Sequence, residues 1–253
     1  MQWPHRQHSQ LPAKTFLVLM IGFALTSEAQ TWQSGGTLGS HSAGPIVMSL
    51  KDADEYRFTS AADGVLFDID GNGQREQIGW TEGDALAAFL AIDRNEDGLI
   101  NDGKELFGNH THPDARNGFH ALMLMNLETN GGIKHGSVSS DDPLYERLLL
   151  WRDRNHNGVS ERSELRRVAD FFSDVRLSWL PTSHQDQHGN RFAYRGWAQR
   201  RTGPGRNMVK DPDENIRRTV HIWNVYFQGI RQFGETQVGH SMRVNRSTTA
   251  CEF

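Results

Sequence analysis

An α+β fold is expected from this sequence, with helix-loop-helix units packed on short antiparallel β elements at both ends. Three observations predict it. Short β-patterned runs open the ordered part, the apolar spacing turns helical from Asp84, and it returns to a β pattern beyond Asp174. The 253 residues carry 27 Lys and Arg against 31 Asp and Glu, and only one Cys. A disulfide framework and a Cys-rich zinc site are therefore excluded.

Residues 1–29 read as a secretory signal. Arg6 and Lys14 precede the apolar run Phe16–Leu25, and Ser27-Glu28-Ala29 offers small residues for cleavage. Ten apolar residues rise about 15 Å as a helix, half the thickness of a bilayer core. No later segment is long or apolar enough to span a membrane, so a secreted or periplasmic bacterial product is expected. Residues 30–44 are Gly/Ser-rich and read as a flexible linker.

Residues 45–82 form a β-rich segment, with strands expected at 45–50, 56–59, 65–67 and 77–80. Residues 83–174 are read as helical. Asp84 caps a run containing Leu86, Phe89 and Leu90, and further helices are expected over Phe119–Met125, Pro143–Trp151 and Ser163–Phe172. Residues 175–228 are β again, with strands at Val175–Leu180, Arg191–Arg200 and Thr219–Phe227. A polar loop is expected at 201–217, and residues 229–253 read as a flexible tail.

Charge is unevenly spread. Residues 30–180 hold 14 basic and 24 acidic side chains, net −10, whereas residues 181–253 hold 11 and 6, net +5. That balance argues against nucleic acid as a partner and for carboxylates gathered around cations.

The carboxylates recur in Asp/Asn-Gly loops starting at Asp68, Asp93, Asn126 and Asp153. In the last, Asp153, Asn155, Asn157 and Glu161 stand at positions 1, 3, 5 and 9, Val159 at 7 and Gly158 at 6. Glu164 closes position 12. This is the spacing of the EF-hand loop. Ca²⁺ wants six to eight oxygens at about 2.4 Å, and alternate residues of a tight loop can deliver them. Asp93, Asn95, Asp97, Leu99 and Asn101 repeat the pattern. Lys104 occupies position 12 there and cannot ligate, so Glu105 is expected to close a thirteen-residue loop. A third, shorter loop lies between strands and offers Asp68, Asp70, Asn72 and Glu76, with the carbonyl of Gln74. The Asn126 loop keeps the spacing but has one carboxylate, Glu128, and reads as degenerate.

The stretch from GVLFDIDGNGQREQIGW through FLAIDRNEDGLINDGKELFGNHT to PLYERLLLWRDRNHNGVSERSEL resembles the EF-hand-type calcium-binding module of bacterial exported proteins. That module also occurs in haemolysin-type (RTX-associated) surface proteins. The resemblance covers roughly residues 44–228 and implies Ca²⁺ binding outside the cytoplasm rather than a known catalysis.

Enzymatic readings are weaker. Val65-Leu66-Phe67-Asp68-Ile69-Asp70-Gly71 imitates the first motif of haloacid-dehalogenase-type phosphatases, with Asp68 as nucleophile, but no βαβα series follows it. His110, His112, Asp114 and His120 suit zinc by chemistry and read as a polar surface loop. The expected function is thus a non-enzymatic, exported calcium-binding protein, the metal being structural or responsive. The alternatives are a calcium-dependent adhesion module for a cell-surface protein or glycan, and a secreted hydrolase or phosphatase.

Overall fold

The computed structural model describes residues 44–51, 56–130, 136–201 and 219–230. The expected signal peptide, the 30–43 part of the linker, most of the 201–217 loop and the 231–253 tail lie outside them.

The chain is built from antiparallel strands. One nine-stranded sheet takes β1 (Ile46–Ser49), β4 (Ala87–Ile92), β5 (Ser137–Ser139), β6 (Leu148–Trp151), β7 (Leu165–Arg167), β8 (Phe172–Arg176), β9 (Leu180–Gln185), β10 (Arg191–Arg200) and β11 (Thr219–Tyr226). Its order is β5-β8-β10-β11-β1-β4-β6-β7, and β9 pairs with β10. A three-stranded sheet holds β2 (Val65–Phe67), β3 (Glu76–Ile78) and β12 (Gly229–Ile230) in the order β12-β3-β2. Among the described residues there is one α-helix, α1 (Gly118–Asn130). It is neither long nor apolar enough to cross a membrane.

The expected α+β fold of helix-loop-helix units is therefore corrected, and with it the reading of 83–174 as a helical region. The run capped by Asp84 is strand β4. Pro143–Trp151 is a 3-10 turn at Tyr145–Arg147 followed by β6. Ser163–Phe172 is two short 3-10 turns around β7, leading into β8. The physical reason lies in burial. Ile46, Met48, Ala88, Leu90, Ile92, Leu148 and Leu150 face one core, which α1 covers with Phe119, Ala121 and Leu122. Val47, Ala87, Phe89, Ala91 and Trp151 face a second core, shared with Phe67, Ile78 and Trp80 from the small-sheet side. A strand buried on both faces reads as a continuous apolar run, which periodicity alone cannot tell from a buried helix.

Several expected strands are present, but the one expected at Val175–Leu180 is not: β8 ends at Arg176 and β9 begins at Leu180. Strands at 45–50, 65–67 and 77–80 correspond to β1, β2 and β3. Arg191–Arg200 is β10, and Thr219–Phe227 is β11 less its last residue. A bulge between Phe192 and Tyr194 shifts the alternation of β10. Residues 56–59 contribute only a bridge, Phe58 to Thr81. Helix α1 contains the expected Phe119–Met125 and runs on through Asn126, so the degenerate fourth loop begins as helix. Asn117 caps it, its Oδ1 accepting the His120 N–H at 2.9 Å.

Candidate metal centre

Each of the three strong loops is the connection of a β-hairpin or its equivalent. The loop from Asp68 joins β2 to β3, in which Phe67 pairs with Glu76. The loop from Asp93 leaves β4 and returns at Leu106, which bridges Ala91. The loop from Asp153 joins β6 to β7, in which Trp151 pairs with Leu165. A continuous apolar strand feeds every loop, so its first Asp is delivered from the edge of the core.

The backbone frame is the same three times. The position-1 carboxylate accepts the position-6 glycine N–H: Asp68 Oδ2 from Gly73 at 2.7 Å, Asp93 Oδ2 from Gly98 at 2.8 Å, Asp153 Oδ2 from Gly158 at 2.8 Å. The position-5 side-chain oxygen accepts the position-7 N–H: Asn72 from Gln74, Asp97 from Leu99, Asn157 from Val159, all at 2.7–2.8 Å. Positions 4 and 6 are left-handed in every loop, with φ +70° and +90° at Gly71 and Gly73, +61° and +84° at Glu96 and Gly98, and +57° and +67° at His156 and Gly158. Gly at position 6 is what this bend requires.

The closing acids of the second and third loops fold back over them. Glu105 Oε1 accepts the Arg94 N–H and Oε2 the Asn101 N–H, both at 2.8 Å. Glu164 Oε1 accepts the Arg154 N–H at 2.7 Å. Glu105 and Glu164 are buried. Burial pushes the Glu105 carboxyl above its usual range, backbone N–H groups oppose the rise, and the Asp93 charge adds to it. Glu164 is raised likewise by burial and then by the neighbouring Glu161 carboxyl, while that contact and the amides of Asn157 and Asn155 hold Glu161 low.

Side-chain oxygens of each loop lie close together. Ligand oxygens of Asp68, Asp70 and Glu76 all lie within 4.8 Å of one another. Asn155 and Asn157 both reach Glu161 Oε1 through their Nδ2 at 3.0 Å. Asn95 Nδ2 reaches Asp97 Oδ2 at 3.1 Å and Asn101 Oδ1 at 2.9 Å. Asp93 Oδ1 and Glu161 Oε2 are shielded from water and have no hydrogen-bond partner. A hard divalent cation fits such a donor set. Each loop is rich in carboxylate and amide oxygen, and a cation in the second and another in the third would satisfy Asp93 Oδ1 and Glu161 Oε2 respectively.

The sequence did not reveal that the three loops brace one another. Lys104, from the end of the second loop, donates through Nζ to the Gly71 carbonyl of the first, and the Gly103 N–H reaches the Asp68 carbonyl at 2.8 Å. Ser160 Oγ accepts the Ile100 N–H at 3.1 Å, and Arg162 reaches the Asp97 carbonyl at 3.0 Å, tying the second loop to the third. Gly158 packs so closely on Val65 and Leu66, at the strand feeding the first loop, that a side chain there would collide.

Two tryptophans were missed as well. Trp80 Nε1–H donates to Asp153 Oδ2 at 2.9 Å, and Trp151 Nε1–H donates to Glu164 Oε2 at 3.2 Å. No local motif marks either of them. The histidines do not assemble a site: His112 pairs with Glu128 at 3.0 Å, and the ring nitrogens Nδ1 of His112 and His120 face backbone N–H groups. Asp68 lies at the end of an antiparallel hairpin, not of the parallel strand that the phosphatase motif requires.

Comparison with known proteins corrects the resemblance to EF-hand and RTX-associated calcium-binding modules, and EF-hand no longer describes this chain. Residues 46–211 match the SPM domain. The chain is 29% identical over 163 residues to the iron-regulated protein FrpA of Neisseria meningitidis serogroup C. That alignment covers 62% of this chain but only 14% of the length of the relative. The SPM match takes in all three loops and β1 through β10, and the chain belongs to the SPM domain family.

Proposed function

We propose that this chain is an exported protein whose three braced hairpin loops bind Ca²⁺, the ions stabilising the β fold rather than taking part in chemistry. The observation that carries the reading is the threefold repetition of one loop frame, with Asp93 Oδ1 and Glu161 Oε2 left without partners. An ordinary polar turn has no reason to keep acidic oxygens buried and unsatisfied, because each such group costs roughly 1–3 kcal/mol. Calcium is favoured over magnesium, since amide and carboxylate oxygens on a flexible loop suit six to eight ligands better than a tight octahedron. Asp68, Asp70, Asn72, Gln74 and Glu76 would hold one ion. Asp93, Asn95, Asp97, Leu99, Asn101 and Glu105 would hold a second, and Asp153, Asn155, Asn157, Val159, Glu161 and Glu164 a third. Export rests on the Phe16–Leu25 run and the site after it.

Native mass spectrometry across a calcium titration counts the ions directly. Up to three additions are expected, with the number falling by one in Asp153→Asn. A protein that gains no calcium at millimolar concentration would sink the proposal.

A further inference from the structure

Strand β7 closes one end of the large sheet and, among the described residues, pairs only with β6. Trp151 stands opposite Leu165, so Arg152 and Glu164 are the next facing pair, and the Arg152 N–H donates to the Glu164 carbonyl at 3.2 Å. Bonded and non-bonded pairs alternate along an antiparallel ladder. Arg166 therefore bonds to β6, while the N–H and C=O groups of Leu165 and Arg167 point away from it, to the open edge.

Beside this edge lies an open cleft of about 250 Å³, lined by Gly98, Leu149, Arg162, Leu165, Arg166 and Arg167. Its floor is apolar: Leu149 and Leu165 are half-buried on the fringe of the second core. Its rim is cationic, with all three arginines exposed. Arg167 pairs with Glu146. Arg162 and Arg166 donate to the backbone carbonyls of Asp97, Ser163 and Leu165, and among the described residues neither meets a carboxylate. Backbone carbonyls leave a guanidinium's charge uncompensated and most of its donors unused. Glu164, the acid between them in sequence, is buried and turned to the Arg154 N–H and the Trp151 indole.

We propose that β7 accepts an added strand, an extended acidic peptide that pairs with the Leu165–Arg167 edge. Side chains of such a strand alternate between faces. Apolar ones would lie on Leu149 and Leu165, which share a face, and carboxylates between them would meet Arg166, with Arg162 at the cleft rim. Main-chain hydrogen bonds give such a complex its affinity, and the cleft gives it selectivity. Charges on an edge strand also keep other edges away. Here they choose the occupant: a second copy of β7 would set like charge against like, whereas an acidic strand meets its opposite.

The test is calorimetric binding of a short peptide of alternating valine and glutamate to the full chain. Comparison probes are the same peptide with lysine for glutamate, and one with every backbone nitrogen methylated, which has no N–H to donate. The acidic peptide is expected to bind at least roughly tenfold more tightly than either. Arg166→Gln is expected to weaken it roughly tenfold. Arg167→Pro probes the edge itself. Arg167 has φ −74°, which proline matches, Arg166 before it is in the strand, and the lost N–H faces away from β6, so the fold is expected to stand. That variant is expected to bind roughly tenfold less tightly than Arg167→Gln, which loses the same charge but keeps the donor. Equal binding of the lysine peptide, indifference to methylation, or equal affinities of the two Arg167 variants would overturn the proposal. So would dimerisation of the chain in ultracentrifugation that Arg167→Pro abolishes. Should Arg167→Pro fail to fold, the methylated peptide decides it. The cleft contributes no residue proposed to hold an ion, so loss of peptide binding leaves the calcium count untouched.

Discussion

The Asp153 and Asp68 loops share a backbone frame and differ in what stands behind it. Asp153 is 1% exposed and accepts a hydrogen bond from Trp80, whose ring lies 5.1 Å from Phe67, 4.3 Å from Phe89 and 5.6 Å from Trp151. Glu164, at the other end of that loop, accepts the Trp151 indole. Among the described residues, no indole donates to Asp68. The carboxylates of its loop accept N–H groups of that same loop, and Asp70 sits toward solvent. One geometry thus serves two ends. In the third loop the carboxylates bond directly to indoles of the aromatic core, whereas in the first Asp68 accepts the N–H groups of Asn72 and Gly73 beside it.

Removing all cations should produce the largest effect. A ligand bound only by the folded state stabilises by RT ln(1 + [L]/Kd), about 2.7 kcal/mol per site at a hundredfold excess. Chelation is therefore expected to lower Tm by more than about ten degrees, and millimolar Ca²⁺ to restore it better than Mg²⁺. Scanning calorimetry reads this, and a Tm indifferent to chelator would end the comparison by removing its premise.

Asp153→Ala comes next. It strands the Trp80 indole and the Gly158 N–H in a buried site, at a cost of about 2–4 kcal/mol even with chelator present. Asp70→Ala, in the exposed loop, is expected to cost under about 1 kcal/mol in chelator while still removing one ion. Urea denaturation of the two variants would break the contrast if their losses were equal.

A pH series sharpens the comparison further. Glu105 and Glu164 are raised in the folded chain, so the stability they contribute is fully present below the unfolded value of 4.5 and is lost as pH rises through their folded values. Glu161, held low, works oppositely: its contribution is present above that value and is lost as pH falls through its own folded value. In chelator, wild type is expected to lose more stability between pH 4 and 7 than Glu105→Gln does, because the amide has nothing to ionise. Saturating calcium should remove that difference, since the cation favours the ionised carboxylates. Chemical denaturation across pH, with and without calcium, measures it.

Trp80→Phe isolates one hydrogen bond. It keeps an aromatic ring but deletes the donor to Asp153, for an expected loss of about 1 kcal/mol from the hydrogen bond alone. The calcium stoichiometry should not change.

These contrasts mark how far the sequence could be read. The turn frame of the loops was legible, because Asp at position 1 and Gly at position 6 are local chemistry that survives any flank. Their flanks were not. Leu148-Leu149-Leu150-Trp151 and Phe89-Leu90-Ala91-Ile92 carry no period of 3.6 or of 2, since both faces of each strand are covered, and such a run next to an Asp-Gly loop reads equally as a buried helix. Strand β10, by contrast, with more varied burial, was read to the residue. Trp80 and Trp151 were invisible as site residues because only the three-dimensional fold brings their N–H groups to Asp153 and Glu164.

The bulge in β10 has a consequence for how that strand can change over generations. Substitutions can alter the character of Arg195, Trp197 or Gln199 one at a time, but none can move them to the other face. Deleting Arg195, just past the bulge, would do so for Trp197 and Gln199 in one step, because a slip of one position inverts every side chain that follows. It would drive Trp197 toward α1 and break the close approach of Gly196 to Phe119, where a Cβ would meet the ring at 2.4 Å. Insertions and deletions in this strand are therefore expected to be purged even where its individual side chains are free to vary.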